Sequence, residues 1–92
     1  MADVFRDRPV YNIGVVAELL GVHPRTLRIY EESGLICPAR SEGNTRLFSQ
    51  TDVELLVHIR YLIQEKGVNL AGVKLILMLE RKLNIRVEDW CE

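Results

Sequence analysis

Residues 12–34 have the sequence NIGVVAELLGVHPRTLRIYEESG, and this stretch decides the fold. Over residues 13–20 the apolar side chains recur three and four positions apart, which predicts a short helix with one core-facing stripe. Asn12 is suited to cap the start of this helix, because its side-chain oxygen can accept from a first-turn N–H. Gly21 is suited to end it in the left-handed conformation.

A second helix is predicted just after the first. Pro24 fits the first helical position, where a backbone N–H is not needed, and His23 before it could act as the N-cap or contact a phosphate. We expect this helix to run to Ser33 and to stop at Gly34. Two short helices joined by a tight glycine turn form a helix-turn-helix.

Turn residues and then further helical periodicity follow. Residues 41–44 are a turn-rich cluster and residues 45–48 are typical of a strand, so a β-hairpin is predicted with its tip at the Gly-Asn pair. A third helix is expected over 49–66, opened by an approximate capping box that ends at Asp52. A fourth is expected over 70–83, with Asn69 as its N-cap.

The composition is that of one globular domain. Of the 92 residues, 48% are hydrophobic and 27% charged, and the formal net charge is −1, so any basic surface must be local. Two cysteines do not make a disulfide framework or a metal site, and the charged N-terminus is unlike a signal peptide. Nothing resembles a nucleophile–base pair or paired carboxylates. We therefore expect a cytoplasmic protein that is not an enzyme, with no cofactor and no membrane partner.

The strongest functional signal lies in the second helix. Residues 22–30 contain two arginines and one histidine and no acid, and Arg25 and Arg28 project from one face. In a helix-turn-helix the second helix enters the major groove, where the arginine fork can donate two hydrogen bonds to guanine. The alternative is that Arg28 pairs with Glu32 and the face is merely solvated.

The predicted hairpin carries two more arginines. Arg40 and Arg46 lie on either side of its tip, so both could extend from a thin ribbon beside the helix-turn-helix. Such a basic wing would hold backbone phosphates and set the register of the helix in the groove. Exposed hairpin arginines are also a common solubility feature, but the two basic elements together favour DNA binding.

With these motifs, residues 11–80 resemble the MerR family of bacterial transcription regulators. The matching segments are TLRIYE at 26–31, GLI at 34–36 and NTRLF at 44–48. Within the family, the segments VHPRT, GNTR and GVNLAGVK are most similar to the heat-shock repressor branch, HspR.

The resemblance implies a mainly α fold, a winged helix-turn-helix with a short β-hairpin wing and two further helices. It implies a sequence-specific repressor of chaperone genes that binds an inverted-repeat operator in the bacterial nucleoid, with a DnaK-type chaperone as co-repressor. The alternative is a MerR-like protein-interaction module, such as a chaperone modulator, that does not read DNA sequence. The DNA-contacting residues carried over by the resemblance are Arg25, Thr26, Arg28, Tyr30, Arg40, Asn44 and Arg46, with a core role for Tyr30 left open.

Two departures from the family pattern are visible. Ile29 and Phe48 stand where many members have tyrosine, so both are expected to pack rather than bind. Members usually dimerise through a long helix after the fourth one, whereas this sequence ends at Glu92. We expect instead a weak homodimer, formed through Trp90 and through surplus apolar positions on the last two helices. These positions are a second apolar row on the third helix, Val53, Val57 and Tyr61, and three residues of the fourth, Met78, Leu79 and Leu83. The predicted organisation is a flexible arm at 1–10, the DNA-binding domain at 11–83 and a tail of unassigned structure at 84–92.

Overall fold

The computed structural model describes residues 5–85, which form a mostly helical domain with a small sheet. In chain order the elements are β1 (Tyr11–Asn12), α1 (Ile13–Leu20), α2 (Pro24–Glu32), β2 (Ala39–Arg40), β3 (Arg46–Phe48), α3 (Gln50–Arg60), a π-helical turn (Tyr61–Glu65) and α4 (Leu70–Leu83). The predicted architecture of a helix-turn-helix, a hairpin and two further helices is therefore confirmed.

Side-chain caps fix the ends of the helix-turn-helix. Asn12 Oδ1 accepts from the Val15 N–H at 2.9 Å, and Gly21 ends α1 in the left-handed region with φ +68°. His23 Nδ1 accepts from the Arg25 N–H at 3.0 Å, with proline following at the first helical position. The sequence predicted the Asn12 cap and the Gly21 stop, and it left the N-cap as one of two roles for His23, because the partners in such caps lie close together in the chain.

The hairpin belongs to a three-stranded antiparallel sheet with β3 in the middle and β1 and β2 at its edges. The register places Tyr11 opposite Phe48 and Arg40 opposite Arg46. β1 was not predicted, because a strand of two residues is too short to show alternation. Its pairing ties the start of α1 to the wing.

The two later helices also begin at predicted caps. Ser49 Oγ accepts from the Asp52 N–H at 3.0 Å, while Asp52 Oδ2 accepts from the Ser49 N–H at 2.9 Å, which completes a capping box. Asn69 Oδ1 accepts from the Gly72 N–H at 2.8 Å at the start of α4. The helix predicted over 49–66 changes at Tyr61 from α-helical to π-helical, so its α-helical part is shorter than expected.

The core lies where α1, α2, β3, α3 and α4 meet. Phe48 is only 1% exposed, as its predicted packing requires. Val53 was expected in a second, outward apolar row of α3 and is instead 9% exposed within the core. The largest side chains with essentially no exposed surface are Phe48, Leu27, Leu35, Leu56, Ile59, Leu62, Val16 and Val73.

The predicted flexible arm is hydrogen-bonded to α3 in the part that the structure describes. The Thr51 N–H donates to Arg6 O at 2.9 Å, and Thr51 Oγ1 donates to Asp7 Oδ1 at 2.8 Å. Arg6 also forms an ion pair with Glu54. These contacts cross more than forty residues of sequence, so local periodicity could not indicate them. Residues 1–4 of the arm and residues 86–92 of the tail, including Trp90, lie outside the described residues.

Two polar contacts, one buried and one part-buried, connect the later helices to the rest of the fold. His58 Nε2 lies 2.8 and 2.9 Å from the two carboxylate oxygens of Glu80, and both residues are 5% exposed. Arg60 Nη1 donates to Leu20 O at 2.6 Å. The first contact joins α3 to α4, and the second joins α3 to the end of α1.

Candidate nucleic-acid interface

The exposed face of α2 carries the two predicted arginines. Arg25 and Arg28 are both exposed, and within residues 5–85 neither guanidinium makes a hydrogen bond or an ion pair. The alternative pairing of Arg28 with Glu32 is therefore not formed in this part of the chain. Thr26, the third predicted contact on this helix, is half-buried.

The opposite face of α2 packs into the core and bears on the expectations for Tyr30 and Ile29. Leu27 has no exposed surface and Tyr30 is 6% exposed, so Tyr30 takes the core position that the sequence left open as an alternative to DNA contact. Burial raises the pKa of Tyr30, while the nearby charge of Arg60 lowers it by a smaller amount. Ile29 was expected to pack, yet it is 40% exposed on the side of α2 away from the core.

The wing arginines converge on one acid of α2. Arg46 Nε donates to Glu31 Oε1 at 2.5 Å, and Arg40 Nη2 donates to Glu31 Oε2 at 3.1 Å. Arg40 Nη1 also donates to the Asn44 carbonyl at 3.2 Å, at the hairpin tip where Asn44 has φ +65°. The hydrogen bond from Arg46, and then the charges of Arg46 and Arg40, hold the pKa of Glu31 below its usual value despite partial burial.

These contacts bring the helix and the wing into one surface. Residues three apart on a helix are neighbours, so Arg25 lies next to Arg28 and Arg28 lies next to Glu31. Glu31 in turn contacts both wing arginines. The result is a continuous strip of four guanidinium groups with one carboxylate, and it can present hydrogen-bond donors to an anionic partner over two elements.

Glu31 is a member of this surface that the sequence did not predict. It is the last residue of the TLRIYE segment, and its partners lie 9 and 15 residues away along the chain. The signal available in the sequence was the charge of the hairpin, because two arginines on either side of its tip favour a nearby acid or contact with solvent.

Three further features of the described part of the chain bear on its function, namely possible metal sites, free thiols and membrane-spanning helices. No group of three or more His, Cys, Asp or Glu side chains within residues 5–85 could hold a metal ion. Cys37 is an exposed free thiol. Over the same residues, no helix has both the length and the apolar character needed to cross a bilayer.

Comparison with known proteins agrees with this geometry. The family described as MerR HTH family regulatory protein matches residues 11–80. A Streptomyces coelicolor protein named as a heat shock protein, HspR, is 46% identical over 88% of this chain and 54% of its own length. The transcriptional regulator GlnR of Bacillus anthracis is 41% identical over 82% of this chain and 57% of its own length.

A solved structure extends the comparison to three dimensions. HiNmlR, a MerR family regulator lacking the sensor domain, was crystallised bound to promoter DNA. It superposes with a TM-score of 0.63 at 31% identity, covering 70% of this chain and 48% of HiNmlR. The present chain spans about half the length of the relatives it matches. Its helix-turn-helix, its wing and its sequence place it in the MerR HTH family of regulatory proteins.

Proposed function

We propose that this protein is a sequence-specific DNA-binding transcription regulator that inserts α2 into the major groove. The observation that carries the proposal is the exposed pair Arg25 and Arg28, whose guanidinium groups have no partner within residues 5–85. A guanidinium already bound to an acid would have to break that bond before reading a base, whereas these two are available. The promoter complex of HiNmlR supports DNA as the partner.

The side chains divide into two roles. Arg25 and Arg28 contact base edges, because residues near the start of the recognition helix lie deepest in the groove. Thr26 on the same helix and Arg40, Asn44 and Arg46 on the wing contact the phosphate backbone and fix the register of α2.

The test measures binding of the purified chain to two duplexes. One is selected from a randomised library, and the other has random sequence. Arg25→Ala and Arg28→Ala should each weaken binding to the selected duplex by about 1–3 kcal/mol and binding to random DNA by much less. Arg81→Ala removes an exposed arginine from α4 and serves as the matched control. Unchanged site preference in the double variant would refute the assignment.

The alternative function, a protein-interaction module, predicts a different result. Such a module would show no selected duplex and a nearly flat dependence of affinity on salt. A DNA-binding protein instead loses affinity log-linearly with salt, because each phosphate contact releases counterions.

The similarity to HspR is the basis for a proposal about which genes are regulated. The match to HspR supports regulation of heat-shock and chaperone genes, and we propose repression with a DnaK-type chaperone as co-repressor. Adding a purified DnaK-type chaperone should tighten binding to DNA from a chaperone promoter. If the chaperone leaves that affinity unchanged, the co-repressor part of the proposal is wrong.

An inverted-repeat operator requires a two-fold protein, and we propose a weak homodimer that uses α4. Three large apolar side chains of this helix, Leu75, Met78 and Leu83, are each more than half exposed, and Leu79 is 47% exposed. Sedimentation at rising concentration, alone and on a duplex with two half-sites, tests the proposal. Met78→Lys should abolish cooperative binding while leaving single half-site affinity unchanged. Independent binding of two wild-type protomers would show that the interface does not exist.

A further inference from the structure

Glu31 holds the two wing arginines in unequal ways. Arg40 is engaged at both terminal nitrogens, one on Glu31 and one on the Asn44 carbonyl. Arg46 is held only through Nε, and within residues 5–85 its two terminal nitrogens make no hydrogen bond. The outer edge of the Arg46 guanidinium is therefore oriented by Glu31 and remains available to a phosphate.

We propose that Glu31 is a positioning residue for DNA recognition, which fixes the wing at one distance from the recognition helix so that Arg46 meets a phosphate when Arg25 and Arg28 meet their bases. The inference rests on the proposed function. It assigns to an acid a role in binding an anionic polymer, through the geometry it imposes rather than through its charge.

The physical basis is that the carboxylate has two opposing effects on DNA binding. A free arginine side chain has many rotamers. Because Glu31 already anchors Nε of Arg46, less side-chain conformational entropy is lost when Arg46 binds DNA. The same negative charge repels phosphates. Two guanidinium groups around one carboxylate leave the cluster with a net charge of +1, so the attraction is reduced but not reversed.

The effect of the Glu31 charge and the effect of its positioning can be measured separately on random and selected duplexes. Binding to random sequence depends mostly on charge, because no single register is required. Binding to a selected duplex also depends on holding the helix and the wing in one register. Loss of Glu31 should therefore reduce discrimination between the two duplexes even where it does not reduce affinity for random DNA.

The experiment compares Glu31→Gln with Glu32→Gln on the selected and random duplexes. Glu32 is the adjacent exposed acid of the same helix, so its variant removes the same charge without touching the wing. We expect Glu32→Gln to leave the ratio of the two affinities unchanged. Glu31→Gln should lower the ratio about fivefold, the upper end for one exposed ion pair, without weakening binding to random DNA.

A second variant separates geometry from charge. Glu31→Asp keeps the negative charge but is one methylene shorter, which withdraws the carboxylate from the two guanidinium groups. It should therefore lower the ratio while leaving random-DNA affinity at the wild-type value. Equal ratios for Glu31→Gln and Glu32→Gln would overturn the inference, and so would equal losses on both duplexes. A wild-type protein that does not distinguish the duplexes would instead refute the proposed function.

Discussion

Replacing Arg60 by methionine tests the contact that attaches α3 to the helix-turn-helix. Arg60 Nη1 donates to Leu20 O at 2.6 Å, where it satisfies a carbonyl at the end of α1 and places a positive charge at that helix C-terminus. A hydrogen bond from a charged group contributes about 1.5–3 kcal/mol. Arg60 Nε, however, is buried without a hydrogen-bond partner within the described residues. The cost of burying this group reduces the net contribution of Arg60 to stability by about 1 kcal/mol.

Arg60→Met keeps the packing of the aliphatic stem, so the expected loss in the free energy of unfolding is about 1.5 kcal/mol. For a domain of this size that loss lowers Tm by roughly 6–12 °C. Thermal and urea unfolding followed by circular dichroism measure it, with Arg81→Met as the control for losing an exposed arginine. If the two variants have the same stability, the Leu20 contact does not stabilise the domain and the argument from its geometry is wrong.

Two further predictions concern paired acids. The lowered pKa of Glu31 means that its ionised form stabilises the fold above the usual carboxyl pKa, and that this contribution is lost as the pH falls through the lower folded value. Wild type should therefore lose more unfolding free energy than Glu31→Gln between about pH 5 and pH 3, and parallel pH profiles would contradict this. His58→Leu and Glu80→Leu should show a coupling energy of about 1–3 kcal/mol in a double-mutant cycle measured by urea unfolding, and additive effects would contradict the buried contact.

The parts of the fold that the sequence predicted are those set by neighbouring residues. Asn12, Ser49 and Asn69 each accept a hydrogen bond from an N–H three positions later, and Gly21 needs only its own backbone conformation. Such devices are visible in a single sequence because both partners lie within one turn. The helix order and the hairpin followed from them.

The features that escaped prediction depend on residues far apart in the chain. β1 forms because it can pair with β3, which is distant in sequence. The N-terminal arm is held by hydrogen bonds from Thr51, which is close to it only in space. Tyr30 was assigned to DNA by resemblance, yet its place on α2 next to the core-facing side buries it. For the same reason the particular contacts of Glu31 and Arg60 could not be identified before the wing and α1 had been positioned.

The near-zero charge of the whole chain gives the arginine strip its importance. With a formal net charge of −1, the protein has no general attraction to DNA, and binding to random sequence must depend on a few local cations. Each guanidinium then carries a large share of the affinity, so its orientation matters more than it would on a strongly basic surface. We therefore expect an acid such as Glu31, which contacts Arg46 and weakens non-specific attraction, to increase selectivity by favouring the correct register and by disfavouring every other one.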